Sequence, residues 1–326
     1  MFIQEEPLLR VKNLKTFFYT NKGVVRAVDG VNFYLRKGET LGIVGESGSG
    51  KTITSLSILR LVPMPGRIVE GEILFDGEDL LKKSEKEIRA FRGSRVAMIP
   101  QDPMTSLNPV YQIGNQIGEP LRIHQQMTGV DLFNKVVEML KLVHIPSAKS
   151  RLKEYPHQFS GGMKQRAMIA MSISCRPDLL IADEPTTALD VTIQAQILLL
   201  LQDLQKELTT SILYITHDLG VVAKMCSRVA VMYAGNIVEQ ADVHTIFKKA
   251  KHPYTRGLID SVPKIGKAPK RLFTIEGQPP NLLQLPKGCR FSPRCSYSQE
   301  KCLQEEPPLE WIDSHHEIRC FRWREI

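Results

Sequence analysis

The first eighty residues carry an apolar pattern of β-strands separated by turns. Between residues 8 and 80, short β-type segments alternate with turns that contain glycine or asparagine. The pattern predicts strands over Leu9–Leu14, Gly23–Leu35, Glu39–Val44 and Gly71–Phe75. Residues 40–44 lead through a glycine-rich loop into the helical pattern Thr52–Leu61. This part of the chain therefore predicts a strand–loop–helix unit.

The middle of the chain changes to helical periodicity. Apolar residues recur at intervals of three and four, which predicts amphipathic helices over Ile113–His124 and Leu132–Leu142. Further on, Leu179–Ala182 and Ile212–Thr216 are continuous apolar runs, typical of parallel strands that are covered on both faces. A predicted helix, Val191–Leu208, lies between these runs. Strands interrupted by helices predict an α/β architecture.

The pattern weakens after about residue 255. Eight prolines follow, and no long periodic segment is present. A segment this irregular buries little apolar surface by itself, so another kind of contact must hold it together. Four of the six cysteines lie here: Cys289, Cys295, Cys302 and Cys320. In a reducing compartment such clustering favours a metal site over disulfides, whereas Cys175 and Cys226 lie among apolar residues and are predicted to be core thiols.

Composition is that of an ordinary globular protein. Of the 326 residues, 42% are hydrophobic and 24% are charged, and no apolar run approaches the roughly 20 residues of a membrane-spanning helix. The first ten residues include two glutamates and no apolar core of a secretion signal. We therefore expect a cytoplasmic chain that reaches a membrane only through a partner.

The net charge of +8 is not evenly spread. Eight basic residues lie between Lys248 and Arg271, against the single acid Asp260. Such a segment either attracts anionic lipid, nucleic acid or an acidic partner, or is a solvated linker. Because it carries no known nucleic-acid-binding motif, we favour the linker.

Residues 45–52 match a phosphate-binding loop. Their sequence, Gly-Glu-Ser-Gly-Ser-Gly-Lys-Thr, fits G-x-x-x-x-G-K-[ST] and lies between a predicted strand and a predicted helix. The glycines allow backbone N–H groups to turn toward phosphates, and the helix N-terminus adds partial positive charge. Lys51 is expected to reach the β- and γ-phosphates, and Thr52 to offer its hydroxyl to Mg²⁺. The candidate nucleotide-binding residues are Gly45, Glu46, Ser47, Gly48, Ser49, Gly50, Lys51 and Thr52.

Two acids end the apolar run at 179–182. Asp183, at the tip of the predicted strand, is placed to hold Mg²⁺ through water. Glu184, one residue later, is placed to polarise an attacking water molecule. A strand that ends in two carboxylates and follows a phosphate-binding loop thus predicts nucleotide hydrolysis.

The segment Phe159-Ser160-Gly161-Gly162-Met163 resembles the signature sequence of the ATP-binding cassette (ABC) ATPases. The usual form begins with Leu and ends in Gln, and this chain has Phe159 and Met163 at those two flanking positions. The resemblance implies that Ser160, Gly161, Gly162 and Met163 act in trans. They would close over the γ-phosphate that is bound by the phosphate-binding loop of a second subunit.

Three further elements occur in the order expected of this family. Gln101 resembles the Q-loop glutamine that contacts Mg²⁺ and water and reports to the membrane subunit. Ala188-Leu189-Asp190 resembles the D-loop, which crosses the dimer interface, and His217 resembles the switch histidine that holds the γ-phosphate. The resemblance implies catalytic roles for Glu184, His217 and Gln101, and Mg²⁺ binding by Thr52, Gln101 and Asp183.

The adenine ring requires an apolar platform. By its position before Val28-Asp29-Gly30, Phe18 matches the stacking aromatic residue of the family. Its neighbour Tyr19 would point to the opposite face of a strand. Phe18 is therefore the predicted adenine contact.

The resemblance also implies the fold and its division into domains. We predict an α/β, P-loop (RecA-like) ABC ATPase domain over residues 1–255, with an antiparallel β subdomain and an α-helical subdomain at about residues 108–175. A small, irregular, Cys-rich domain of the oligopeptide-transporter type is predicted over residues 256–326, with a bound metal.

The sequences around these motifs resemble the dipeptide/oligopeptide importer ATPases of prokaryotes. The matching stretches are residues 101–109, 155–163, 183–193 and 252–258. The resemblance implies ATP hydrolysis at the cytoplasmic face of the cell membrane, with a second ABC ATPase subunit (a copy or a paralogue) and two transmembrane permease subunits. An extracytoplasmic solute-binding protein would select the peptide. Related systems carry nickel, glutathione or opines, so nickel or another small solute is the alternative cargo.

Soluble ABC proteins of translation or DNA repair form the rival class. Translation-type members carry two ATPase units in one chain, and repair-type members carry long coiled-coil or zinc insertions. This chain has one uninterrupted unit, so we expect no nucleic-acid partner. A simple P-loop kinase or GTPase does not account for residues 159–163.

The four tail cysteines have the spacing C-x5-C-x6-C-x17-C. Structural zinc sites are typically built on paired C-x2–4-C knuckles, and no such pair is present. A [4Fe–4S] cluster is bound by four cysteines and tolerates irregular spacing, and dipeptide-type ATPases with this tail are by resemblance cluster binders. We predict such a cluster as a structural staple, with Zn²⁺ or unmetallated thiols as alternatives. His315 and His316 are further candidate ligands but are expected to be exposed.

Overall fold

The structure, a computed structural model, describes residues 6–102, 106–187, 189–262 and 274–326. Ala188, residues 103–105 after Gln101, and residues 263–271 of the basic segment therefore lie outside the described residues. The described chain forms two compact units. One contains the described residues of 1–36, 40–81 and 214–326, and the other those of 37–39 and 82–213.

Strands and helices alternate along most of the described chain, which confirms the α/β class. The strands are β1 (Leu9–Thr20), β2 (Gly23–Leu35), β3 (Thr40–Val44), β4 (Gly66–Phe75), β5 (Glu78–Asp79), β6 (Val96–Ile99), β7 (Leu179–Asp183), β8 (Ser211–Thr216), β9 (Arg228–Tyr233), β10 (Asn236–Asp242), β11 (Glu310–Asp313) and β12 (His316–Ile318). The helices are α1 (Lys51–Ile58), α2 (Glu85–Phe91), α3 (Ile113–Gln125), α4 (Gly129–Leu142), α5 (Ala148–Arg151), α6 (Gly161–Ile173), α7 (Val191–Leu208), α8 (Leu219–Met225), α9 (Val243–Lys249), α10 (Pro253–Asp260) and α11 (Glu300–Gln304).

The first unit contains the predicted antiparallel sheet, in the strand order β2-β1-β4-β5. Leu9 pairs with Leu35 on one side and with Phe75 on the other, which fixes the register at the buried end. Strand β1 continues to Thr20, well beyond the predicted end at Leu14. The apolar alternation is interrupted near Asn13, where the pairing shifts and the backbone takes a φ of 45°. A bulge of this kind breaks the period of two on which the sequence prediction relies.

The same unit carries a second run of strands, in the order β11-β12-β10-β9-β3. Strands β3 and β9 pair in parallel, whereas β9, β10, β12 and β11 pair antiparallel with their neighbours. All five residues of β3 are buried, and the strand lies at the predicted position before the glycine-rich loop. This strand delivers the chain directly into the loop before α1.

The tail is more regular than the sequence predicts. Strands β11 and β12 form a hairpin, and Glu239 and Gln240 of β10 pair with Ile318 and Glu317 of β12. The prediction of a wholly irregular tail is therefore wrong. Strands of four and three residues are too short for alternation to be recognised, and their pairing with β10 gives them their register.

The basic segment is not a linker in its described part. Lys248 and Lys249 end α9, and Arg256 lies in α10. The linker interpretation is wrong for these residues. Helix α10 has eight residues and starts after His252, whose Nδ1 accepts a hydrogen bond from the Tyr254 N–H at 3.1 Å. A helix this short shows too few turns for its periodicity to be recognised.

The second unit holds the parallel pair β6–β7 and the helices α3, α4 and α6, which pack on one another. Helices α3 and α4 confirm the predicted pair within three residues at each end. Val96 pairs with Leu179 and Ile99 with Ala182, so the ends of both strands lie side by side. This register places the residues that follow β6 and β7 next to each other, at the carboxyl ends of the two strands.

A buried carboxylate on β10 links the tail to the rest of the first unit. Glu239 of β10 is fully buried and accepts hydrogen bonds from the backbone N–H groups of Lys251 at 2.7 Å and His252 at 3.1 Å. Its Oε1 also lies 2.8 Å from Nε2 of His316 on β12. The expectation that His316 is exposed is wrong: it is 4% exposed, because β12 places it against β10. His315 is exposed, as expected.

Replacing Glu239 should destabilise this unit strongly. Glu239→Ala leaves a buried N–H group, a partly buried N–H group and a buried imidazole without their partner, so we expect a loss of about 3 kcal/mol or more in the free energy of unfolding. Urea denaturation of the full chain measures it. The matched control is Glu72→Ala, which removes an exposed ion pair with Lys12 and should cost less than about 1 kcal/mol. Equal losses for the two variants would contradict the role assigned to Glu239.

Candidate functional site

The phosphate-binding loop of the first unit is packed so closely at two of its glycines that no side chain fits there. A Cβ atom on Gly45 would lie 2.1 Å from the carbonyl oxygen of Met232, and one on Gly50 would lie 2.3 Å from that of Ala27. Gly50 also has a φ of 107°, in the left-handed region that favours glycine. The loop backbone therefore lies directly against β2 and the end of β9.

Lys51 is held at the centre of this loop. Its side chain is buried, and Nζ donates hydrogen bonds to the carbonyl oxygens of Gly45 at 2.8 Å and Glu46 at 2.9 Å. The Ser49 N–H donates to the Glu46 carbonyl at 3.2 Å, which closes the turn around the ammonium group. Thr52, in the first turn of α1, is exposed. This is a cationic loop at a helix N-terminus, suited to a phosphate group.

Phe18 and Tyr19 differ in their surroundings, as predicted. Phe18 is half-buried, and its ring lies over Gly66, where an added Cβ would come within 2.7 Å of Cε1. Tyr19 is 47% exposed, and the Arg67 guanidinium lies 6.0 Å from its ring centroid. Gly66 thus lies directly against the Phe18 ring. Stacking of Phe18 on adenine stays a prediction.

His217 follows β8 in the first unit and is exposed. The next residue, Asp218, is the N-cap of α8, and its Oδ1 accepts hydrogen bonds from the N–H groups of Gly220 at 2.7 Å and Val221 at 3.3 Å. The cap fixes where the chain turns from strand to helix and so fixes the position of His217. Contact of His217 with a γ-phosphate stays a prediction.

In the second unit the structure brings together two predicted catalytic residues that are far apart in sequence. Nε2 of Gln101 donates a hydrogen bond to Oε2 of Glu184 at 3.0 Å, and the Thr187 hydroxyl donates to the same oxygen at 3.0 Å. Asp183, one residue earlier, is 2% exposed at the end of β7. The carboxylate of Glu184 is thereby oriented by an amide and a hydroxyl.

Glu184 also has an unusual backbone conformation. Its φ is 45°, in the left-handed region that residues with a Cβ rarely adopt. Such a conformation costs on the order of 1–3 kcal/mol and is found most often at functional sites, where surrounding contacts hold it. The hydrogen bonds from Gln101 and Thr187 are contacts of this kind.

The signature segment begins helix α6. Ser160 is its N-cap, and its Oγ accepts a hydrogen bond from the Met163 N–H at 3.3 Å. Ser160 and Gly161 are exposed, whereas Phe159 is 5% exposed and anchors the segment as an apolar residue. Gly162 packs on Ile193 of α7, since an added Cβ would lie 2.9 Å from Cγ2.

Asp190 has a local role that sequence reasoning did not predict. It is the N-cap of α7, and its Oδ1 accepts hydrogen bonds from the N–H groups of Thr192 at 3.1 Å and Ile193 at 3.0 Å. The start of α7 therefore lies next to that of α6, through the contact of Ile193 with Gly162. Exposed helix N-termini of this kind favour anionic groups.

The four tail cysteines line one small cavity of about 20 Å³ that is partly open to solvent. Phe291, Tyr297 and Phe321 complete much of its apolar wall. Burial raises the pKa of the Cys289 thiol to about 11 and that of Cys320 to about 12, and it also raises the pKa of Cys295. Across the described residues, no three or more His, Cys, Asp or Glu side chains form a group that could hold a metal ion.

The other two cysteines have different environments. Cys226 is buried, as predicted, and desolvation raises the pKa of its thiol strongly. Cys175 is only half-buried, so its assignment to the core is wrong. Neither residue lines the cavity of the other four.

Sequence reasoning missed a direct contact between the tail and the phosphate-binding loop. The Arg294 guanidinium binds both carboxylate oxygens of Glu46, with Nη1 at 2.7 Å and Nη2 at 3.0 Å. An arginine beside Cys295 carries no signal of this kind in the sequence, because its partner is 248 residues away. This ion pair thus links the phosphate-binding loop to the cysteine-rich tail.

Over the parts of the chain that the structure describes, no helix combines the length and the apolar character that crossing a membrane requires.

Comparisons with known proteins agree with both parts of the sequence. The family model "ABC transporter" matches residues 28–187, and the model "Oligopeptide/dipeptide transporter, C-terminal region" matches residues 238–302. The solved dimeric structure of the ATP-binding cassette MJ0796, in a post-hydrolysis state bound to ADP and Pi, has a TM-score of 0.65 at 25% identity. The match covers 72% of this chain and 98% of that one.

Curated relatives match over nearly the whole chain. A probable peptide ABC transporter ATP-binding protein of Sinorhizobium fredii is 52% identical, over 98% of this chain and 96% of its own. The oligopeptide transport ATP-binding protein OppD of Bacillus subtilis is 52% identical, over 96% of this chain and 88% of its own. The fold is that of the ABC ATPase cassette, and the chain belongs to the ATP-binding proteins of the oligopeptide/dipeptide group of ABC transporters.

Proposed function

We propose that this ABC ATPase uses ATP hydrolysis to energise the import of dipeptides or oligopeptides across the cytoplasmic membrane. The proposal is carried by the sequence identity of 52% to two peptide transport ATP-binding proteins, which extends over nearly the whole chain, including the tail. The geometry supports the hydrolytic part, because a buried acid ends strand β7 and a second, oriented carboxylate comes directly after it. Peptide selection is assigned to an extracytoplasmic solute-binding protein.

The proposed chemistry assigns one task to each group. Glu184 is the general base, and Gln101 and Thr187 orient its carboxylate toward the attacking water. Lys51 and His217 hold the γ-phosphate, and Phe18 stacks on adenine. When bound with ATP, Mg²⁺ neutralises charge on the phosphates, and the hydroxyl, amide and carboxylate oxygens of Thr52, Gln101 and Asp183 are donors that this ion prefers.

A second ABC ATPase subunit completes each site in the proposed assembly. The exposed start of α6, with Ser160, Gly161, Gly162 and Met163, would meet the γ-phosphate held by the partner subunit. Asp190 would lie at the same interface. In support, Ser160 and Asp190 cap two neighbouring helices and leave these helix starts exposed.

The helical region after Gln101 is the proposed contact with two permease subunits. Five large apolar side chains between residues 110 and 133 are exposed, and three of them are more than 60% exposed. They are Val110, Tyr111, Ile123, Val130 and Phe133. Exposed apolar residues concentrated in one region mark interaction surfaces. We place the chain at the cytoplasmic face of the membrane through this contact. We also propose that the ATPase domain ends at residue 255 and that the Cys-rich domain begins at residue 256.

Glu184→Gln tests the function. The side chain keeps its shape and loses the ability to accept a proton, so ATP binding should persist while the ATPase rate falls at least about a hundredfold. Proteoliposomes that contain the permease, the ATP-binding subunits and the solute-binding protein should lose ATP-dependent uptake of a labelled peptide. Glu207→Gln, an exposed change in α7, is the control and should retain both activities. Peptide uptake by the Glu184→Gln assembly at the control rate would overturn the assignment.

We further propose that Cys289, Cys295, Cys302 and Cys320 hold a [4Fe–4S] cluster that staples the tail. All four thiols line one cavity, and a cluster takes one thiolate at each of its irons, so the donors fit in number and type. The absence of a gathered metal-ligand group among the described residues bears on zinc and on the cluster alike. The cysteine spacing, which lacks the paired C-x2–4-C knuckles of zinc sites, is what favours the cluster. The backbone bond from the Cys289 N–H to the Cys302 carbonyl, 2.8 Å long, already joins two corners of the proposed site.

Anaerobic purification of the full chain tests the cluster. We expect broad visible absorption and bound iron, with both lost in Cys295→Ser together with a lower unfolding temperature, because the tail loses its staple. Cys175→Ser lies outside the cavity and should keep the iron. Zinc in place of iron, or the absence of both metals from the wild-type chain, would rule the cluster out.

A further inference from the structure

The tail reaches the phosphate-binding loop through a bidentate ion pair. Arg294 donates to both oxygens of the Glu46 carboxylate, and its side chain is 4% exposed while that of Glu46 is 28% exposed. These hydrogen bonds raise the pKa of Arg294, which remains cationic. Paired bonds of this geometry are among the stronger polar contacts in proteins. Glu46 is the second residue of the loop, so the contact acts on the loop itself.

A second arginine of the same segment supports the far end of the loop. Arg290 donates to the Ala234 carbonyl oxygen and to Oδ2 of Asp29, both at 2.6 Å. The adjacent Gly235 donates its N–H to the Ser49 carbonyl at 2.8 Å. Arg290 therefore fixes the turn between β9 and β10, and that turn holds Ser49.

An aromatic contact provides a third connection. Phe291 lies between the two arginines, with its ring 5.4 Å from that of Tyr254. The Tyr254 hydroxyl accepts a hydrogen bond from the Glu46 N–H at 2.9 Å. The segment from Cys289 to Cys295 thus contacts the Glu46 side chain directly, the Glu46 backbone through Tyr254, and Ser49 through one turn.

The charge of Glu46 makes these contacts relevant to nucleotide binding. A carboxylate on the loop that receives a triphosphate repels it, unless a cation nearby cancels the charge. Arg294 supplies that cation and fixes the direction in which the carboxylate points. Lys51, whose ammonium group is bonded to the Glu46 carbonyl, depends on the same part of the loop.

We propose that Arg294 is a positioning residue for ATP binding, which acts through Glu46 by cancelling its charge and holding the loop in its phosphate-binding form. Arg290 supports the Ser49 end of the same loop. The tail thereby sets the affinity of the site for ATP, although neither arginine is assigned a contact with the nucleotide. The proposal rests on ATP binding at residues 45–52.

Equilibrium binding of a non-hydrolysable ATP analogue to the full chain tests it, with Mg²⁺ present. Arg294→Ala should weaken binding about tenfold, because the Glu46 charge is left uncancelled beside the phosphates. In the Arg294→Ala/Glu46→Gln double variant, most of the lost affinity should return, since the repelling charge is gone. Arg294→Lys keeps the charge without the paired geometry and should fall between wild type and Arg294→Ala. It serves as the test if Arg294→Ala does not fold.

The control is Arg324→Ala, an exposed arginine of the same tail, which should bind the analogue like the wild type. Wild-type affinity in Arg294→Ala would overturn the proposal. So would weak binding with a lower unfolding temperature that Glu46→Gln does not rescue, since the arginine would then only hold the tail in place. Failure of the wild-type chain to bind the analogue would instead contradict the proposed function.

Discussion

The close packing of the phosphate-binding loop is the constraint on which the first unit depends. Gly45 and Gly50 bring backbone within contact distance of the Met232 and Ala27 carbonyl oxygens, where no side chain fits. This contact fixes the loop against two strands and leaves its amide groups and Lys51 in a defined arrangement. A loop held by backbone contacts keeps its shape, and a preformed shape lowers the cost of binding a ligand.

In the second unit, the main structural feature is the orientation of a carboxylate. Glu184 follows a buried strand in a strained backbone conformation, and two hydrogen bonds to one of its oxygens hold the side chain in place. In the role of general base proposed for Glu184, a carboxylate oriented in advance loses less conformational freedom when it acts. The strained backbone and the side-chain hydrogen bonds therefore act together to fix the position of the Glu184 carboxylate.

The tail is integrated into the first unit by charge as well as by packing. Glu239 accepts hydrogen bonds from α10 and contacts His316 of β12, and Glu46 is bound by Arg294. In both cases one carboxylate, fully buried in Glu239 and partly buried in Glu46, joins segments that are distant in sequence. Such pairs favour one arrangement, because leaving either partner unpaired is costly.

The sequence by itself determined the α/β class, the main helices and strands, and the chemistry expected at residues 45–52, 159–163 and 183–184. Each of these depends on local periodicity or on a motif of adjacent residues, which a linear reading detects. Only the tertiary structure decided the contact of Gln101 with Glu184, the burial of His316, the hairpin β11–β12 and the pairing of Arg294 with Glu46. These features join residues that are far apart in the chain or lie in very short elements, and their geometry arises only when strands pair and side chains pack.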